Sequence, residues 1–211
     1  MLKFEGMAKI LILFAHPVLE KSRVHAKLVQ SIKKVPGITF HDLYEAYPDF
    51  DIDVEEEKAL LLSHDIIILQ HPFYWYSAPP IVKQWLDLVL EYGWAYGKGG
   101  IALTGKYVMQ VITAGGSAEV YHHEGRNRFT FREFLAPFDQ SFNLCHMHYL
   151  SPFVIAGTHR LSLEEIADAA EKYSTLLEGL AGNLILPEQL KGSGHIDRFA
   201  EILQLNEVKH G

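Results

Sequence analysis

No disulfide can close within this chain, because Cys145 is its only cysteine. A lone cysteine is most often a small buried hydrophobe, and nothing near it in the sequence marks an activated nucleophile. Its scarcity fits a reducing compartment. Long apolar runs are missing too. The longest near the start, Ile10 to Ala15, is far too short to span a bilayer and is followed at once by His16 and Pro17. A convincing signal-peptide cleavage site is also lacking, so a cytoplasmic protein is expected. Basic charge is in deficit: 19 Lys and Arg against 26 Asp and Glu give a net charge of -7. That balance argues against nucleic acid as a partner. The dinucleotide fingerprint G-x-G-x-x-G does not occur at the first strand-to-helix junction. No metal is expected. The adjacent His122 and His123 are a poor ligand spacing without a carboxylate or cysteine partner. The acidic run from Asp49 to Glu57 lacks the glycine and final glutamate of a calcium loop.

What remains is ordinary globular material, 48% hydrophobic and 21% charged over 211 residues. It suits one domain, with a core over about 8–182 and a C-terminal extension over 183–211. "AKILILFA" (Ala8–Ala15) reads as a strand covered on both faces. Ser22–Val35 reads as a helix with Ser22 as N-cap and Pro36-Gly37 as its stop. Ile38–Leu43 is a weaker, partly polar strand nearer a sheet edge. A helix over Val54–Ser63 opens on three glutamates that suit its dipole. Then come a buried strand at Asp65–Leu69, a helix at Pro80–Glu91 and a strand at Lys106–Thr113. A helix over Phe129–Phe142 is broken or bent near Pro137. The strand His148–Ala156 is broken around Pro152. Ser162–Leu180 is a long helix opening with a capping-box pattern, and a short last helix falls near Ile196–Leu205. This alternation predicts an α/β fold: a doubly wound, five-stranded parallel sheet with helices on both faces.

Ligands of such sheets sit at the strands' carboxyl ends, so three loops matter. "HPVLEKSRVH" (His16–His25) leads into a helix N-terminus, which favours an anion; the plainer reading is a helix cap with solvated charges. "HPFYWYSAPP" (His71–Pro80) offers a flat aromatic wall; alternatively, its rings pack internally or against a subunit. "TAGGSAEVY" (Thr113–Tyr121) places two glycines where backbone can approach a ligand closely, or forms an ordinary turn. "GIALTGKY" (Gly100–Tyr107) nearly matches a phosphate loop. Tyr107 replaces the required hydroxyl residue, and the glycines precede a strand where they should follow one, so it is a turn.

Together, "AHP", "HPFYWYSAPPIVKQWLD", "GWAYG" (Gly93–Gly97) and "TAGG" resemble the flavodoxin-like NAD(P)H:quinone oxidoreductase family. The likeness is greatest to its short bacterial branch, the ancillary reductases of glutathione-regulated potassium efflux systems, and runs from about Lys9 to about Leu180. The resemblance implies bound FMN, with FAD as the larger alternative, and NAD(P)H as co-substrate. It puts the phosphate site on His16, Ser22, Arg23, Val24 and His25. It puts the ring contacts on Pro72, Phe73, Tyr74, Trp75 and Tyr76, then on Thr113, Ala114, Gly115 and Gly116. Tyr121 matches a tyrosine that relatives place over the flavin, and with His122 it is the expected catalytic pair. This chain departs from the pattern at His25, where relatives often carry asparagine, and at Ala114, where threonine is common. The resemblance also implies a homodimer, and two-electron hydride transfer to a quinone or similar acceptor. Two alternatives stand beside it. One is a regulatory ancillary subunit of a membrane potassium efflux antiporter, peripheral at the inner face of the membrane. The other is a flavodoxin-type electron carrier.

Overall fold

Strand β1 (Ile10–Phe14) is apolar at all five positions, and all five are buried in the computed structural model, which describes residues 6–32 and 35–192. Such a strand needs cover on both faces of its sheet. β1 lies between β2 (Ile38–Asp42) and β3 (Ile66–Pro72), parallel to both. β4 (Tyr107–Thr113) pairs with β3. The far edge is shared by two short strands, β5 (His148–Tyr149) and β6 (Phe153–Ile155), each parallel to β4. The order is β2-β1-β3-β4-β5, with β6 also on β4. This is the expected five-position parallel sheet, its last position broken in two. Pro152, which has no N–H to give a ladder, sits in the break.

Alternate side chains serve alternate layers. Ile10, Ile12 and Phe14 pack under α1 (Arg23–Ile32) and α7 (Leu163–Ala181). Leu11 and Leu13 face the other layer, formed by α3 (Val54–Ser63), α4 (Pro80–Val89) and α6 (Ala136–Leu144). β2 is only half-buried throughout, as suits an edge. Ser162 and Glu165 close the expected capping box at the start of α7.

Several boundaries differ from expectation. The helix expected to reach Val35 is described over Arg23–Ile32, and Val35 itself is not helical. A one-turn helix, α2 (Leu43–Ala46), follows β2, capped by the Asp42 carboxylate on the Tyr44 N–H. The break expected near Pro137 falls at Leu135, between α5 (Phe131–Phe134) and α6, with Pro137 in the first turn of α6. β3 runs on to Pro72, so His71 and Pro72 belong to the strand and not to the loop. A proline is tolerated there for a geometric reason. Phe73 N–H donates to the Thr113 carbonyl, so Pro72's nitrogen faces β1, whose pairing has already ended at Phe14–Gln70. Ile185 and Leu190 of the extension are buried, and Ser151 N–H donates to the Leu190 carbonyl at 2.9 Å. The helix expected at Ile196–Leu205 lies outside the described residues.

Among the described residues, one carboxylate is fully buried. Glu57 of α3 accepts from His41 Nε2 at 2.6 Å, Tyr47 Oη at 2.7 Å and Trp85 Nε1 at 2.7 Å, tying β2, α3 and α4 together. Burial alone pushes Glu57 up, but the hydrogen bonds from His41, Trp85 and Tyr47 outweigh it and hold the carboxyl below its ordinary value.

Candidate functional site

Strand order reverses beside β1: the chain steps to β2 on one side, then returns to β3 on the other. Loops leaving the carboxyl ends of β1 and β3 therefore part and open a crevice. A cavity of about 410 Å³ lies there. Of the expected site residues, His16, Ser22, Arg23, Val24, Pro72, Phe73, Tyr74, Thr113 and Gly115 line it. Volume alone does not single it out, since a second cavity of about 410 Å³ lies between α4 and α6, lined by Leu86, Leu90, Phe138 and Leu144 among others. Position and chemistry do, because only the first sits where three strand ends deliver loops.

At one end of the groove stands the N-terminus of α1. Ser22 caps it: its Oγ accepts from His25 N–H at 3.1 Å, and its carbonyl accepts from Ala26 N–H. Among the described residues, the N–H groups of Arg23 and Val24 have no acceptor and are free for an anion. The Arg23 guanidinium is engaged: Nη2 donates to the Leu161 carbonyl at 3.0 Å, pinning the loop after β6. Lys21 adds positive charge to the lining.

The aromatic loop follows β3. Phe73 is buried, edge-on to Phe131 and Tyr121. Trp75 and Tyr76 both take left-handed backbone, with φ of 50 and 62 degrees. Such strain costs about 1–3 kcal/mol per residue and gathers at functional sites. Trp75 is 93% exposed, so its indole is not an internal packing element. Its N–H has no acceptor among the described residues.

After β4, Ala114 is buried and its N–H donates to the Ile155 carbonyl. The N–H groups of Gly115 and Gly116 again have no acceptor among the described residues. A Cβ at Gly115 would lie 2.6 Å from His159 Nε2, and one at Gly116 would lie 3.2 Å from the Tyr121 ring. Tyr121 stacks on Phe131 with centroids 3.9 Å apart. Burial and the nearby Tyr76 raise its hydroxyl above the ordinary range, against a smaller pull from Asn127, so it stays protonated at neutral pH. His122 is exposed and its ring lies against Gly125. His123 turns away to Glu133 at 2.8 Å.

Two histidines sit otherwise than expected. His25 does not line the groove: its imidazole is fully buried beneath it, bonded to Thr113 and Gln70. His159 and Thr158, which do line it, lie in a fourth loop, after β6. That loop is stitched to the glycine pair, since Gly157 N–H donates to the Gly116 carbonyl and Thr158 N–H to the Ala114 carbonyl. The rule that pointed to three strand ends covers this one as well; the break at Pro152 hid it.

The floor carries buried, neutral histidines. Burial lowers His25 well below the usual histidine value, helped by His16 and His71 and weakly opposed by the His71 backbone. Burial takes His71 down to about 4, against the pull of the Pro72 backbone. The unfolded chain binds this proton from an ordinary value of 6.5 downward, whereas the fold resists it until about 4. Stability therefore falls as pH drops through that window, by about 3 kcal/mol at the lower end from His71 alone. Urea unfolding at neutral pH and near pH 4 should show the loss, and His71→Gln should reduce the slope.

Comparison with known proteins agrees with this geometry. A family model described as the flavodoxin-like fold matches residues 8–177. The glutathione-regulated potassium-efflux system ancillary protein KefG of Pectobacterium atrosepticum is 43% identical over 169 residues, 80% of this chain and 92% of its own. General stress protein 14 of Treponema denticola, solved in complex with FMN, is 36% identical with a TM-score of 0.78, covering 82% of this chain and 99% of that one. An NADPH-quinone reductase from P. pentosaceus is 32% identical with a TM-score of 0.72, covering 83% and 98%. With the sheet order, the loops at its switch point and most of the length all matching, this chain belongs to the flavodoxin-like family.

Proposed function

We propose that the groove binds FMN and that the protein is a flavin-dependent NAD(P)H oxidoreductase with a quinone or similar small acceptor. The observation that carries this reading is the set of backbone N–H groups without acceptors among the described residues. Arg23 and Val24 offer them at one end, and Trp75, Gly115 and Gly116 at the other. A phosphate fits the first end, and the polar edge of a planar ring fits the second. The exposed Trp75 and half-exposed Tyr74 and Tyr76 provide the matching flat surface. A cavity of about 410 Å³ supports the smaller flavin nucleotide over FAD. The solved relative from Treponema denticola holds FMN, and the one from P. pentosaceus is an NADPH-quinone reductase.

When bound, FMN supplies the redox chemistry, accepting a hydride from NAD(P)H and passing two electrons to the acceptor. The protein's part is to hold and bias it. Ser22, Lys21 and the start of α1 retain the phosphate. Phe73 and Tyr74 wall the ring, with Thr113 and Gly115 at its edge. Tyr121 keeps a protonated hydroxyl beside Gly116, and His122 is the exposed group nearest that loop in sequence. Flavin-loaded protein should oxidise NADH or NADPH with a quinone at steady state. If it oxidises neither, the electron-carrier reading takes its place.

The likeness to KefG favours a second role, as an ancillary partner of a potassium efflux antiporter. No helix among the described residues is long and apolar enough to cross a membrane; the proposed location is cytoplasmic, or at the inner membrane face when such a partner is present. A second copy is the proposed cover for the exposed Trp75, Tyr92 and Phe129, making a homodimer.

A further inference from the structure

Thr113 has a buried hydrogen-bond chain behind it that the proposed function does not use. Tyr173 of α7 is fully buried, and its hydroxyl donates to Gln70 Oε1 at 2.8 Å. Gln70, also fully buried, places Nε2 3.3 Å from His25 Nδ1. His25 places Nε2 2.9 Å from Thr113 Oγ1. The chain runs Tyr173, Gln70, His25, Thr113, from under α7 to the floor of the groove.

Such a chain can run in either direction, and burial decides which. Reversed, Gln70 would donate to the Tyr173 oxygen, and the Tyr173 O–H would be left buried with no acceptor among the described residues. An unpaired buried donor is expensive, whereas an unused phenol lone pair is not. So Tyr173 donates to Gln70 Oε1, and the Gln70 amide donates to His25 Nδ1. The neutral imidazole then carries its proton on Nε2 and donates to Thr113 Oγ1. With that lone pair taken, the Thr113 hydroxyl has its own proton to give, and the groove is where it opens.

The opposite face of the sheet repeats the arrangement. Tyr149 donates to Gln110 Oε1, Gln110 Nε2 lies 3.0 Å from His71 Nε2, and His71 Nδ1 lies 3.0 Å from the Pro72 carbonyl. There the direction is forced from the far end, because a carbonyl can only accept. His71 must carry its proton on Nδ1. The two buried histidines therefore hold opposite tautomers.

We propose that Tyr173, Gln70 and His25 are positioning residues that fix Thr113 as a one-way hydrogen-bond donor to an acceptor atom of the ligand in the groove. This rests on the flavin reading above. A fixed donor at the ring edge favours the more negative, reduced charge state, so the chain tunes the flavin from the core.

The test has three readouts, taken in order. FMN uptake by the wild-type protein comes first; no uptake overturns the functional reading and this inference with it. Nitrogen-15 NMR of the flavin-free protein then reads the tautomers, with His25→Asn and His71→Gln used to assign the signals. Nε2–H on His25 and Nδ1–H on His71 are expected; Nδ1–H on His25 overturns the inference while leaving the flavin reading intact. Last, the midpoint potential of bound FMN is measured in Tyr173→Phe, Thr113→Val and Thr113→Ser. The first two should lower it by the equivalent of up to tenfold, about 30 mV for a two-electron couple, and Thr113→Ser, which keeps the hydroxyl, should not. An unmoved potential in Thr113→Val overturns the proposal even if Tyr173→Phe fails to fold.

Discussion

Gly115→Val loses its flavin and keeps its fold. Gly115 has no need of positive φ, so the backbone accepts a side chain. Space does not, because the new Cβ would lie 2.6 Å from His159 Nε2. The imidazole must swing away, and it lines the same groove that the ligand needs. Valine's methyl groups then crowd the edge where the Gly115 N–H is offered. Overpacking of this kind costs about 1–3 kcal/mol, and each 1.4 kcal/mol is tenfold, so FMN affinity should fall by about 10- to 100-fold. Fluorescence titration with FMN measures the affinity, and circular dichroism confirms the fold. Unchanged affinity would remove the glycine loop from the site. The same variant separates the two proposed roles: an antiporter partner that still co-purifies with it is bound without help from the flavin.

Glu57→Ala should be among the most damaging single changes to stability. It strands the Trp85 N–H and Tyr47 O–H in the core and deprives His41 of its counter-charge. Breaking a buried pair by removing one partner typically costs about 3–5 kcal/mol, which at this chain length lowers Tm by about 10 °C. Glu57→Gln, which keeps a carbonyl acceptor, should lose less. The pH dependence has a defined sign. Glu57 is held below its ordinary carboxylate value of 4.5, so its contribution is present above that and fades as pH falls further. His41 is raised above 6.5, chiefly by the Glu57 hydrogen bond against the cost of burial, so its share is full below 6.5 and fades as pH rises through its folded value. The difference between wild type and Glu57→Ala should therefore peak between those two ordinary values. Equal thermal stability of the two proteins across that window would show that the cluster carries no energy.

The sheet was legible because its central strands are short, continuous apolar runs bounded by turn residues, and β1, β3 and β4 could hardly be anything else. The groove was legible because ligand loops of such a sheet follow strand ends, and each of the three expected loops reaches it. Glu57 was not legible. In "VEEEK" it looks like the third of three solvated glutamates at a helix start, and its partners His41, Tyr47 and Trp85 are gathered only by folding. His25 was assigned to the right site but the wrong surface. Its spacing with Leu28 and Ile32 puts it on the buried face of α1, a sign that its side chain points into the core and not at the ligand. His159 was missed because β5 and β6 are too short and too interrupted to show where the fifth strand ends.

The proposed activity requires a flavin seated between α1, the aromatic loop and the glycine pair. Visible absorption after incubation with FMN and removal of the excess tests that most directly. The account predicts a retained flavin band, about one FMN per chain on release by denaturation and mass identification, and its loss in Gly115→Val. Wild-type protein that carries no band after exposure to FMN, or to FAD, contradicts it.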